Sequence, residues 1–413
     1  MKKYCDTSWD FRTSNTKILT HCFHNYPAMM IPQIAGRLID LFGIENGILF
    51  DPYCGTGTSV VEANLRGMST VATDINPLAR LITRAKSTVI PLQVLDFYIK
   101  DFNNSIFEHK FGVSTIDIQT PDFPNIDFWF SEEVKNDLGI VKDYIEKIED
   151  GNVADFFRVA FSETLREVSL TKNSEFKLVR MKGVQLQKFS PDTFATFERK
   201  IFRNRNGLKD FTERIKSQKK NLICDFNSIR EVPKDLINDG SVDLIVTSPP
   251  YGDSKTTVAY GQFSRLSNQW LGFENANQVD NISMGGKRAI EFVKFGIKEL
   301  DEQIERIGNK DEKRALDVIS FYDDYRKSIS NVSKTIAKGG RVAYVVGNRR
   351  VKDHELPTDL ATAKFFEEQG LNHYETIIRS IPNKRMPKEN SPTNEIGKKS
   401  TTMNFEYIVT MFN

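Results

Sequence analysis

The chain has 413 residues, 39% of them hydrophobic and 27% charged, and a formal net charge of +2 at pH 7. This composition is typical of a soluble globular protein, and because no apolar run reaches about 18 residues we expect no membrane-spanning helix. The length fits one large domain with insertions or two to three units, and we expect no signal peptide because the N-terminus lacks an apolar segment.

Cysteine usage predicts a protein of a reduced, cytoplasmic compartment. The four cysteines, Cys5, Cys22, Cys54 and Cys224, are scattered, and none forms a CxxC pair or lies at metal-ligand spacing from a histidine. We therefore expect no structural zinc, no other bound metal and no membrane association.

The small net charge hides a polarised distribution. Residues 101–155 contain thirteen acidic and four basic residues, whereas residues 161–220 contain fifteen basic and seven acidic residues. This asymmetry indicates a basic face for a polyanion and an acidic face in solvent. Exposed helices that carry charge without any partner explain the pattern equally well.

Short apolar runs that end in turn or polar residues predict the strands of a sheet. In chain order they are "GILF" (47–50), "STVATD" (69–74), "NLICDF" (221–226), "VDLIVTSPPY" (242–251), "GGRVAYVVGN" (339–348), "YETIIRSIP" (374–382) and "NFEYIVTMF" (404–412). Helical patterns lie between them, at residues 58–67, 77–87, 320–340 and 358–370. This alternation indicates a mostly parallel α/β sheet, in which ligands bind beyond the carboxyl ends of the strands.

Two long insertions interrupt the alternating pattern. We predict a core built from residues 1–90 and 219–413, a largely helical insertion at 91–218 and a second insertion at 253–318. A polar, basic loop at 383–402 joins the last two strands, which are expected to pair as an antiparallel hairpin.

The stretch "FDPYCGTGTSVVEA" (50–63) predicts a ligand-binding turn between a strand and a helix. Gly55 and Gly57 let the backbone turn tightly and approach a ligand, and the following helix presents free N–H groups. The stretch is not GxGxxG and lacks the lysine of a phosphate loop, which disfavours a pyrophosphate ligand. A strand–helix turn without a ligand explains the two glycines about as well.

Acidic residues end the next two predicted strands. Asp74 lies seventeen residues after Gly57, where a ribose diol is held in such sheets, and Asp225 is placed to accept from an adenine amino group. The alternatives are an Asx turn or helix N-cap with Asn76 and Pro77, and a surface turn at Asp225. Together with the glycines, these residues indicate adenosine without phosphates, which describes S-adenosylmethionine better than a dinucleotide.

The turn "TSPPYGDS" (247–254) follows the buried run "VDLIV" (242–246). Two prolines stop the strand, so the simplest interpretation is a strand terminator. A rigid, polar turn with an aromatic tip also suits the floor of an active site opposite the glycine loop.

These motifs together resemble the amino-methyltransferases that modify exocyclic nitrogens of DNA bases. "DPYCGTGT" resembles the cofactor loop of that family, "TSPPY" resembles its catalytic motif, and "HCFHNYPAMMIPQIAGRLI" (21–39) resembles its N-terminal cofactor element, with Met29 where a lysine is common. The order of the motifs also matches. The catalytic motif of the family begins with Ser in most cytosine-N4 enzymes and with Asp or Asn in most adenine-N6 enzymes, so Ser248 indicates cytosine N4.

The resemblance implies a Rossmann-like methyltransferase fold with a mostly parallel seven-stranded sheet, an antiparallel C-terminal hairpin and helical insertions. It implies S-adenosylmethionine as cofactor and S-adenosylhomocysteine as product. The residues that correspond to cofactor binding are Tyr26, Pro27, Asp51, Pro52, Cys54, Gly55, Thr56, Gly57, Thr58, Asp74, Ile75, Asn76, Asp225 and Phe226. Those that correspond to catalysis are Ser248, Pro249, Pro250 and Tyr251.

The chemistry of the catalytic motif follows from the poor nucleophilicity of an aromatic amine. Hydrogen bonds from the amine to Ser248 Oγ and the Pro249 carbonyl favour charge build-up on nitrogen during attack on the sulfonium methyl. Tyr251 offers a ring on which a base flipped from the duplex stacks. We interpret Cys54 as a packing residue, because no cysteine follows a proline as the nucleophile of a carbon-5 methyltransferase does.

Double-stranded DNA is the partner that the resemblance implies. Candidate contacts are Arg180, Lys182, Arg199, Lys200, Arg203 and Arg205 in the basic segment, Arg265 in "YGQFSRLSNQW" (260–270) and Arg349 in "GNRR" (347–350). Core packing of the aromatic stretch and a solvated turn at GNRR are the alternatives. The insertion at 91–218 is the preferred target-recognition element because of its size and charge.

Other functions are weighed against this one. An RNA guanine-N2 or adenine-N6 methyltransferase shares the sheet and a similar catalytic motif. "PD" (121–122) and "EFK" (175–177) resemble a nuclease metal site, at a spacing that chance explains. The family association further predicts a prokaryotic cytoplasmic enzyme, associated with the nucleoid through DNA, that functions beside a cognate restriction endonuclease.

Overall fold

The fold is described by a computed structural model over residues 2–112, 118, 120–173, 175–253, 259–381, 389–390, 400–401 and 403–413. The strands are β1 (Lys3–Cys5), β2 (Ile48–Asp51), β3 (Ser69–Thr73), β4 (Asn221–Cys224), β5 (Val242–Thr247), β6 (Ile336–Val346), β7 (Arg350–Val351), β8 (His354–Glu355), β9 (Asn372–Ser380), β10 (Glu389–Asn390), β11 (Ser400–Thr401) and β12 (Phe405–Phe412). The α-helices are α1 (Pro32–Phe42), α2 (Thr58–Leu65), α3 (Pro77–Ser87), α4 (Leu92–Lys110), α5 (Ile126–Trp129), α6 (Glu132–Glu146), α7 (Gly151–Val168), α8 (Gly183–Gln187), α9 (Thr193–Arg214), α10 (Tyr260–Trp270), α11 (Val279–Ile282), α12 (Lys298–Lys310), α13 (Glu312–Ser333) and α14 (Thr358–Glu367). Two 3-10 turns, Thr7–Trp9 and Leu19–Cys22, precede α1.

Eight of these strands form one sheet in the order β1-β9-β12-β6-β5-β2-β3-β4. Strand β12 runs antiparallel to β6 and β9, and every other pair of neighbours is parallel. The prediction of a mostly parallel α/β sheet is therefore confirmed. The last two apolar runs pair antiparallel as expected, and β12 lies between β9 and β6.

The predicted count of seven strands is wrong, because β1 adds an eighth strand at the edge. This strand pairs parallel with β9, with Lys3 opposite Thr376. Its three side chains are exposed, so no apolar pattern marks it in the sequence. Backbone hydrogen bonds hold it instead, from Thr376 N–H to the Lys2 carbonyl at 2.9 Å and from Asp6 N–H to the Ile378 carbonyl at 3.1 Å.

Strand β5 lies near the middle of the sheet and is covered on both faces. Leu244 and Val246 share a hydrophobic cluster with Leu38 of α1, whereas Ile245 shares a different cluster with Ile329 of α13. A strand buried on both faces requires a nearly continuous apolar sequence, which explains "VDLIV". Because β2, β3 and β5 are parallel, the loops that follow them meet at one edge of the sheet.

The helical insertion packs onto the sheet core. Phe102 of α4, Phe157 of α7 and Phe197 of α9 form an aromatic cluster, in which the ring centroids of Phe102 and Phe197 are 5.1 Å apart. The same hydrophobic core includes Phe23 and Trp270 of α10, so it is shared with segments outside the insertion. The boundaries at residues 91 and 218 stay a prediction. In the part of the chain that the structure describes, no helix is both long and apolar enough to cross a membrane.

Candidate active site

The glycine loop (residues 51–58) turns at two glycines with left-handed backbone, with φ of +48° at Gly55 and +71° at Gly57. A Cβ atom at Gly57 would lie 2.6 Å from Thr83 Cγ2, whereas one at Gly55 would meet no atom within 4 Å. Gly57 is thus required by close packing against α3, while Gly55 borders open space. The backbone at Gly55 is therefore the part of the loop that a ligand can approach closely.

Helix α3 fixes the conformation of the glycine loop. Thr83 Oγ1 donates a hydrogen bond of 3.0 Å to the Gly55 carbonyl, and Lys86 Nζ donates one of 2.8 Å to the Thr56 carbonyl. Lys86 is almost wholly buried, and this burial lowers its pKa to about 7. Neither Thr83 nor Lys86 lines the pocket described below, so both act on the loop from outside it.

Asp51 connects the glycine loop to the SPPY turn (residues 248–251). Its carboxylate accepts hydrogen bonds from the Tyr53 N–H at 3.1 Å and from Thr247 Oγ1 at 2.5 Å, and Ser59 Oγ donates to its second oxygen. Thr247 is the last residue of β5 and directly precedes Ser248. Burial raises the pKa of Asp51 to about 6, and the three donors limit that rise.

Asp74 presents a half-buried carboxylate at the pocket wall, one residue beyond β3. Its oxygens accept hydrogen bonds from the N–H groups of Gly55, at 3.0 Å, and Asn76, at 2.8 Å. Desolvation by the surrounding chain raises the pKa of Asp74 to about 6. Asn76 caps α3 by accepting from the Leu78 N–H, so the capping interpretation and a place at the pocket hold together.

The buried Asn76 side chain connects three segments of the chain. Its Nδ2 donates to Tyr26 OH at 2.8 Å and to Ser264 Oγ of α10 at 3.0 Å. Tyr26 in turn stacks on Tyr260, with ring centroids 6.0 Å apart and an interplanar angle of 20°. Tyr260 lines the pocket, and the motifs do not identify it, although it opens the aromatic stretch 260–270.

One pocket extends from the glycine loop to the SPPY turn. The predicted residues that line it are Tyr26, Pro27, Asp51, Pro52, Cys54, Gly55, Thr56, Thr58, Asp74, Ile75, Asn76, Phe226, Ser248 and Pro250. Its lining also contains residues that were not singled out as site residues. Ala28, Met29, Met30, Tyr53 and Ser59 lie within the predicted cofactor motifs, and Asn227, Ser228, Tyr260, Val279, Ser283 and Met284 lie outside them. The second insertion therefore contributes one side of the pocket, and no motif marks its apolar residues.

Four of the predicted cofactor-binding and catalytic residues lie outside the lining of this pocket, namely Gly57, Asp225, Pro249 and Tyr251. Asp225 is exposed and forms an ion pair of 2.9 Å with Arg80. Its position matches the surface turn that was its alternative interpretation. Phe226, Asn227 and Ser228 line the pocket beside it.

Ser248 lines the pocket and is connected to the sheet through Tyr251. Ser248 Oγ donates a hydrogen bond of 3.2 Å to Tyr251 OH, which donates at 3.1 Å to Glu406 Oε1 of β12. The Tyr251 ring packs against Gly347, where a Cβ atom would lie 2.7 Å from Tyr251 Cδ2. Glu406 carries no local sequence signal, because its contact with the SPPY turn depends on the position of β12 in the sheet.

Most of the basic residues proposed to contact DNA are paired within the chain. Lys200 is buried and lies 3.6 Å from Glu163, and Arg203 contacts the same carboxylate at 2.5 Å. Further ion pairs join Arg199 to Glu167, Arg205 to Asp96 and Arg349 to Asp253. Each of these cations already has a carboxylate partner, which competes with a phosphate for it.

The other three proposed contacts form no ion pair with any residue of the described ranges. Lys182 is exposed, Arg180 lies over the Phe128 ring with 4.5 Å to its centroid, and Arg265 is half-buried on α10. The buried Nε of Arg265 has no hydrogen-bond partner in the described part of the chain. Arg265 lies on α10, the helix that also carries the pocket-lining Tyr260. This proposed DNA contact is therefore connected to the pocket through one helix.

The eight-stranded, mostly parallel sheet with its antiparallel β12 is an α/β fold, and one pocket joins its glycine loop to the SPPY turn. The chain is 41% identical over 427 residues to type II methyltransferase M.MvaI of Kocuria varians, covering 98% of this chain and 93% of that protein. It is 22% identical over 442 residues to type II methyltransferase M.BsoBI of Geobacillus stearothermophilus, covering 89% and 84%. A tRNA (guanine(10)-N2)-dimethyltransferase of Methanothermobacter thermautotrophicus is 32% identical over 75 residues, 18% of this chain and 22% of that protein. No protein-family model matches the chain.

The chain therefore belongs to the type II methyltransferases.

Proposed function

We propose that this protein transfers a methyl group from S-adenosylmethionine to the exocyclic N4 of cytosine in double-stranded DNA, as the modification enzyme of a restriction–modification system. The observation that carries this proposal is the shared pocket, in which Ser248 and the glycine loop face one space. An acceptor hydroxyl is thereby held opposite a cofactor-type loop, which is the geometry that amine methylation needs.

The pocket suits S-adenosylmethionine better than a phosphorylated nucleotide. Its described lining contains no lysine or arginine, and the nearby Lys86 is committed to the Thr56 carbonyl. Asp74 offers a carboxylate to the hydroxyls of a ribose, while Ile75 and Phe226 offer apolar surface to an adenine. When bound, S-adenosylmethionine supplies an electrophilic methyl group on a sulfonium.

The chain's own residues act on the amine that receives the methyl group. The Ser248 hydroxyl and the Pro249 carbonyl accept hydrogen bonds from the N4 amino group, which stabilises positive charge as it grows on nitrogen. The consecutive prolines hold these acceptors fixed, so little reorganisation is needed when the base enters. Glycine-loop residues and Asn76 position the cofactor side of the pocket, and no covalent bond between protein and base is required.

The target base has to leave the duplex to reach this pocket. Tyr251 remains the proposed stacking residue, with its hydroxyl held by Ser248 and Glu406. The pocket-lining Tyr260 adds a second aromatic ring on the side of α10. A ring on each side of the entering base would hold it flat against the acceptors.

For the DNA backbone, we retain Arg180, Lys182 and Arg265 as the first candidates, because each lacks a carboxylate partner among the described residues. We give lower weight to Arg199, Lys200, Arg203, Arg205 and Arg349, because of their internal ion pairs. The insertion at 91–218 stays the proposed target-recognition element.

Two alternatives use the same pocket. In an adenine-N6 enzyme, the Ser248 hydroxyl would accept its hydrogen bond from the N6 amino group of adenine. The serine at this position favours cytosine over adenine. RNA is the second alternative, supported by the short match to a tRNA dimethyltransferase, which spans only 18% of this chain.

The test is methyl transfer from labelled S-adenosylmethionine to double-stranded DNA, followed by nucleoside mass spectrometry. N4-methylcytosine is the expected product. N6-methyladenine would retain the cofactor assignment and overturn the choice of base, and labelled RNA without labelled DNA would overturn the substrate class.

The variant that tests the role of Ser248 is Ser248→Ala. It removes one acceptor from the amine and leaves the glycine loop intact, so we expect methyl transfer to fall by about a hundredfold or more while S-adenosylmethionine still binds. Wild-type turnover in this variant would overturn the role of Ser248.

A further inference from the structure

Behind Ser248, a chain of hydrogen bonds runs through Tyr251 and Glu406 to the buried Arg379. From this chain we infer that Tyr251 and Glu406 are positioning residues that set the direction of the Ser248 hydroxyl, so that Ser248 Oγ can only accept from the target amine. This inference rests on the proposed function, because it concerns the acceptor that the amine uses.

The direction of each hydrogen bond follows from the groups themselves. Glu406 is paired with the guanidinium of Arg379, and a carboxylate accepts hydrogen bonds but donates none. The single hydroxyl proton of Tyr251 is therefore the donor to Glu406 Oε1, at 3.1 Å. Since Tyr251 has no second proton, the 3.2 Å contact with Ser248 requires Ser248 to be the donor.

This polarity decides what Ser248 offers to the pocket. A serine hydroxyl has one proton and two lone pairs, and here the proton is used on Tyr251. Both remaining lone pairs then serve as acceptors for N–H groups. A freely rotating hydroxyl would spend part of its time donating into the pocket, where it would not stabilise an amine. Successive hydrogen bonds that all point one way also polarise one another, which makes Ser248 Oγ a better acceptor.

The far end of the hydrogen-bond chain is anchored by the N-terminal segment. The Arg379 side chain is 4% exposed, and its Nε and Nη2 donate to the carbonyls of Trp9, at 2.8 Å, and Asp10, at 3.2 Å. Ser380 N–H also donates to Asp10 Oδ1 at 2.8 Å. Each side-chain nitrogen of Arg379 therefore has an acceptor, and the remaining one, Nη1, donates to Glu406. The segment that follows β1 therefore contributes to the site although it contains no catalytic motif.

The Tyr251 ring is held as firmly as its hydroxyl. A Cβ atom on Gly347 would lie 2.7 Å from Tyr251 Cδ2 and 2.2 Å from Met403 Sδ, so the ring is closely packed on that side. The hydroxyl is 155 residues from Glu406 in sequence, and the two meet because β12 lies next to β6 in the sheet. Ring packing and hydrogen bonding together fix one orientation for Tyr251 OH.

The first test is Tyr251→Phe, which removes the hydroxyl but keeps the ring and the Arg379–Glu406 ion pair. We expect kcat for methyl transfer to fall about ten- to hundredfold, with Kd for S-adenosylmethionine and KM for DNA unchanged. Glu406→Gln tests the polarity directly. Its amide can donate to Tyr251, which lets Tyr251 donate to Ser248 and turns the Ser248 proton into the pocket, so kcat should fall as well.

The matched control is Tyr344→Phe. Tyr344 is a buried tyrosine of β6 whose hydroxyl has no hydrogen-bond partner in the described part of the chain, so its removal should leave kcat unchanged. Melting temperature and S-adenosylmethionine binding are measured for all variants. If Tyr251→Phe lowers kcat only together with cofactor affinity and melting temperature, its role is structural and the inference is wrong.

The outcomes separate this inference from the proposed function. Full kcat in Tyr251→Phe and Glu406→Gln, with an inactive Ser248→Ala, would overturn the positioning role and retain Ser248 as the acceptor. A wild-type protein that forms no N4-methylcytosine would overturn the proposed function itself, whatever the variants do.

Discussion

Asn76 and Ser264 lie 188 residues apart in sequence, yet the Asn76 amide donates a 3.0 Å hydrogen bond to Ser264 Oγ. Asn76 ends the loop after β3 on the cofactor side of the pocket, and Ser264 lies on α10 in the second insertion. Asn268 of α10 donates back to Asn76 Oδ1 at 3.3 Å. The buried Asn76 amide therefore joins the cofactor side of the pocket to the second insertion. We expect a substitution on either side to affect the other.

Replacement of Asn76 by alanine should damage both sides at once. It leaves the buried Tyr26 hydroxyl without its amide donor, removes one of the two amides that donate to Ser264 and removes the N-cap of α3, so we expect the free energy of unfolding to fall by about 2–3 kcal/mol. Urea denaturation measures the loss, and titration calorimetry should show weaker S-adenosylmethionine binding. Ser264→Ala, which removes one acceptor of the Asn76 amide and leaves the N-cap of α3 intact, is the control and should cost about 1 kcal/mol.

The affinity for S-adenosylmethionine should fall in acid because of Asp74. The carboxylate has a pKa of about 6, and protonation removes the acceptor that we propose for the ribose. Binding is therefore complete above this pKa and lost below it, about tenfold per pH unit once the group is protonated. Calorimetric titration from pH 5 to pH 8 measures the effect. Asp74→Asn should bind more weakly with a flatter profile, and equal pH dependence in both proteins would contradict the role of Asp74.

The stability of the protein should rise in mild alkali because of Lys86. Its pKa is lowered from 10.5 to about 7 in the folded chain, so between these values the unfolded chain holds a proton that the folded chain has lost. Folding is then favoured as the pH rises, by up to about 1.4 kcal/mol per pH unit. Lys86→Met keeps an apolar side chain of similar length but has no amine, so it lacks this pH-dependent contribution to the free energy of unfolding. Urea denaturation at pH 7, 8 and 9 should give a smaller slope for the variant, and parallel lines would show that Lys86 is not buried as described.

Much of this site could be predicted from short runs of sequence. The strands β2, β3 and β5 are buried apolar runs that end in turn residues. The sequence Asn76-Pro77 is a typical helix start, and it marks the beginning of α3. The glycine loop and the SPPY turn are placed together by a general rule for parallel sheets. These features are local, so propensity and spacing are sufficient to find them.

The features that could not be predicted depend on contacts between distant segments. The edge strand β1 has only exposed side chains, and it is a strand because its backbone hydrogen-bonds to β9. Nothing in the local sequence distinguishes Glu406 from the other acidic residues, and only the order of the strands in the sheet shows that it contacts Tyr251. Likewise, the basic segment looks free in sequence, and only the packing of α9 against α7 reveals that Lys200 and Arg203 share Glu163.

Arg265 and Arg349 should respond differently when each is replaced by alanine, because only Arg349 has a described carboxylate partner. Arg349→Ala removes a buried ion pair with Asp253, so we expect about 2 kcal/mol lower stability, with Arg314 still in contact with that carboxylate. Arg265→Ala removes a half-buried cation on α10 and should leave stability within about 0.5 kcal/mol. Instead, it should weaken DNA binding and lower the slope of log K against log salt by about one.

Fluorescence anisotropy with a labelled duplex at several salt concentrations measures this difference, beside urea denaturation of both variants. Lys182→Ala, which removes an exposed cation from the insertion, provides a second phosphate-contact variant for comparison. An unchanged salt slope in Arg265→Ala would remove Arg265 from the interface. A reduced slope in a stable Arg349→Ala would mean that Arg349 exchanges Asp253 for a phosphate when DNA binds, which would restore it as a DNA contact.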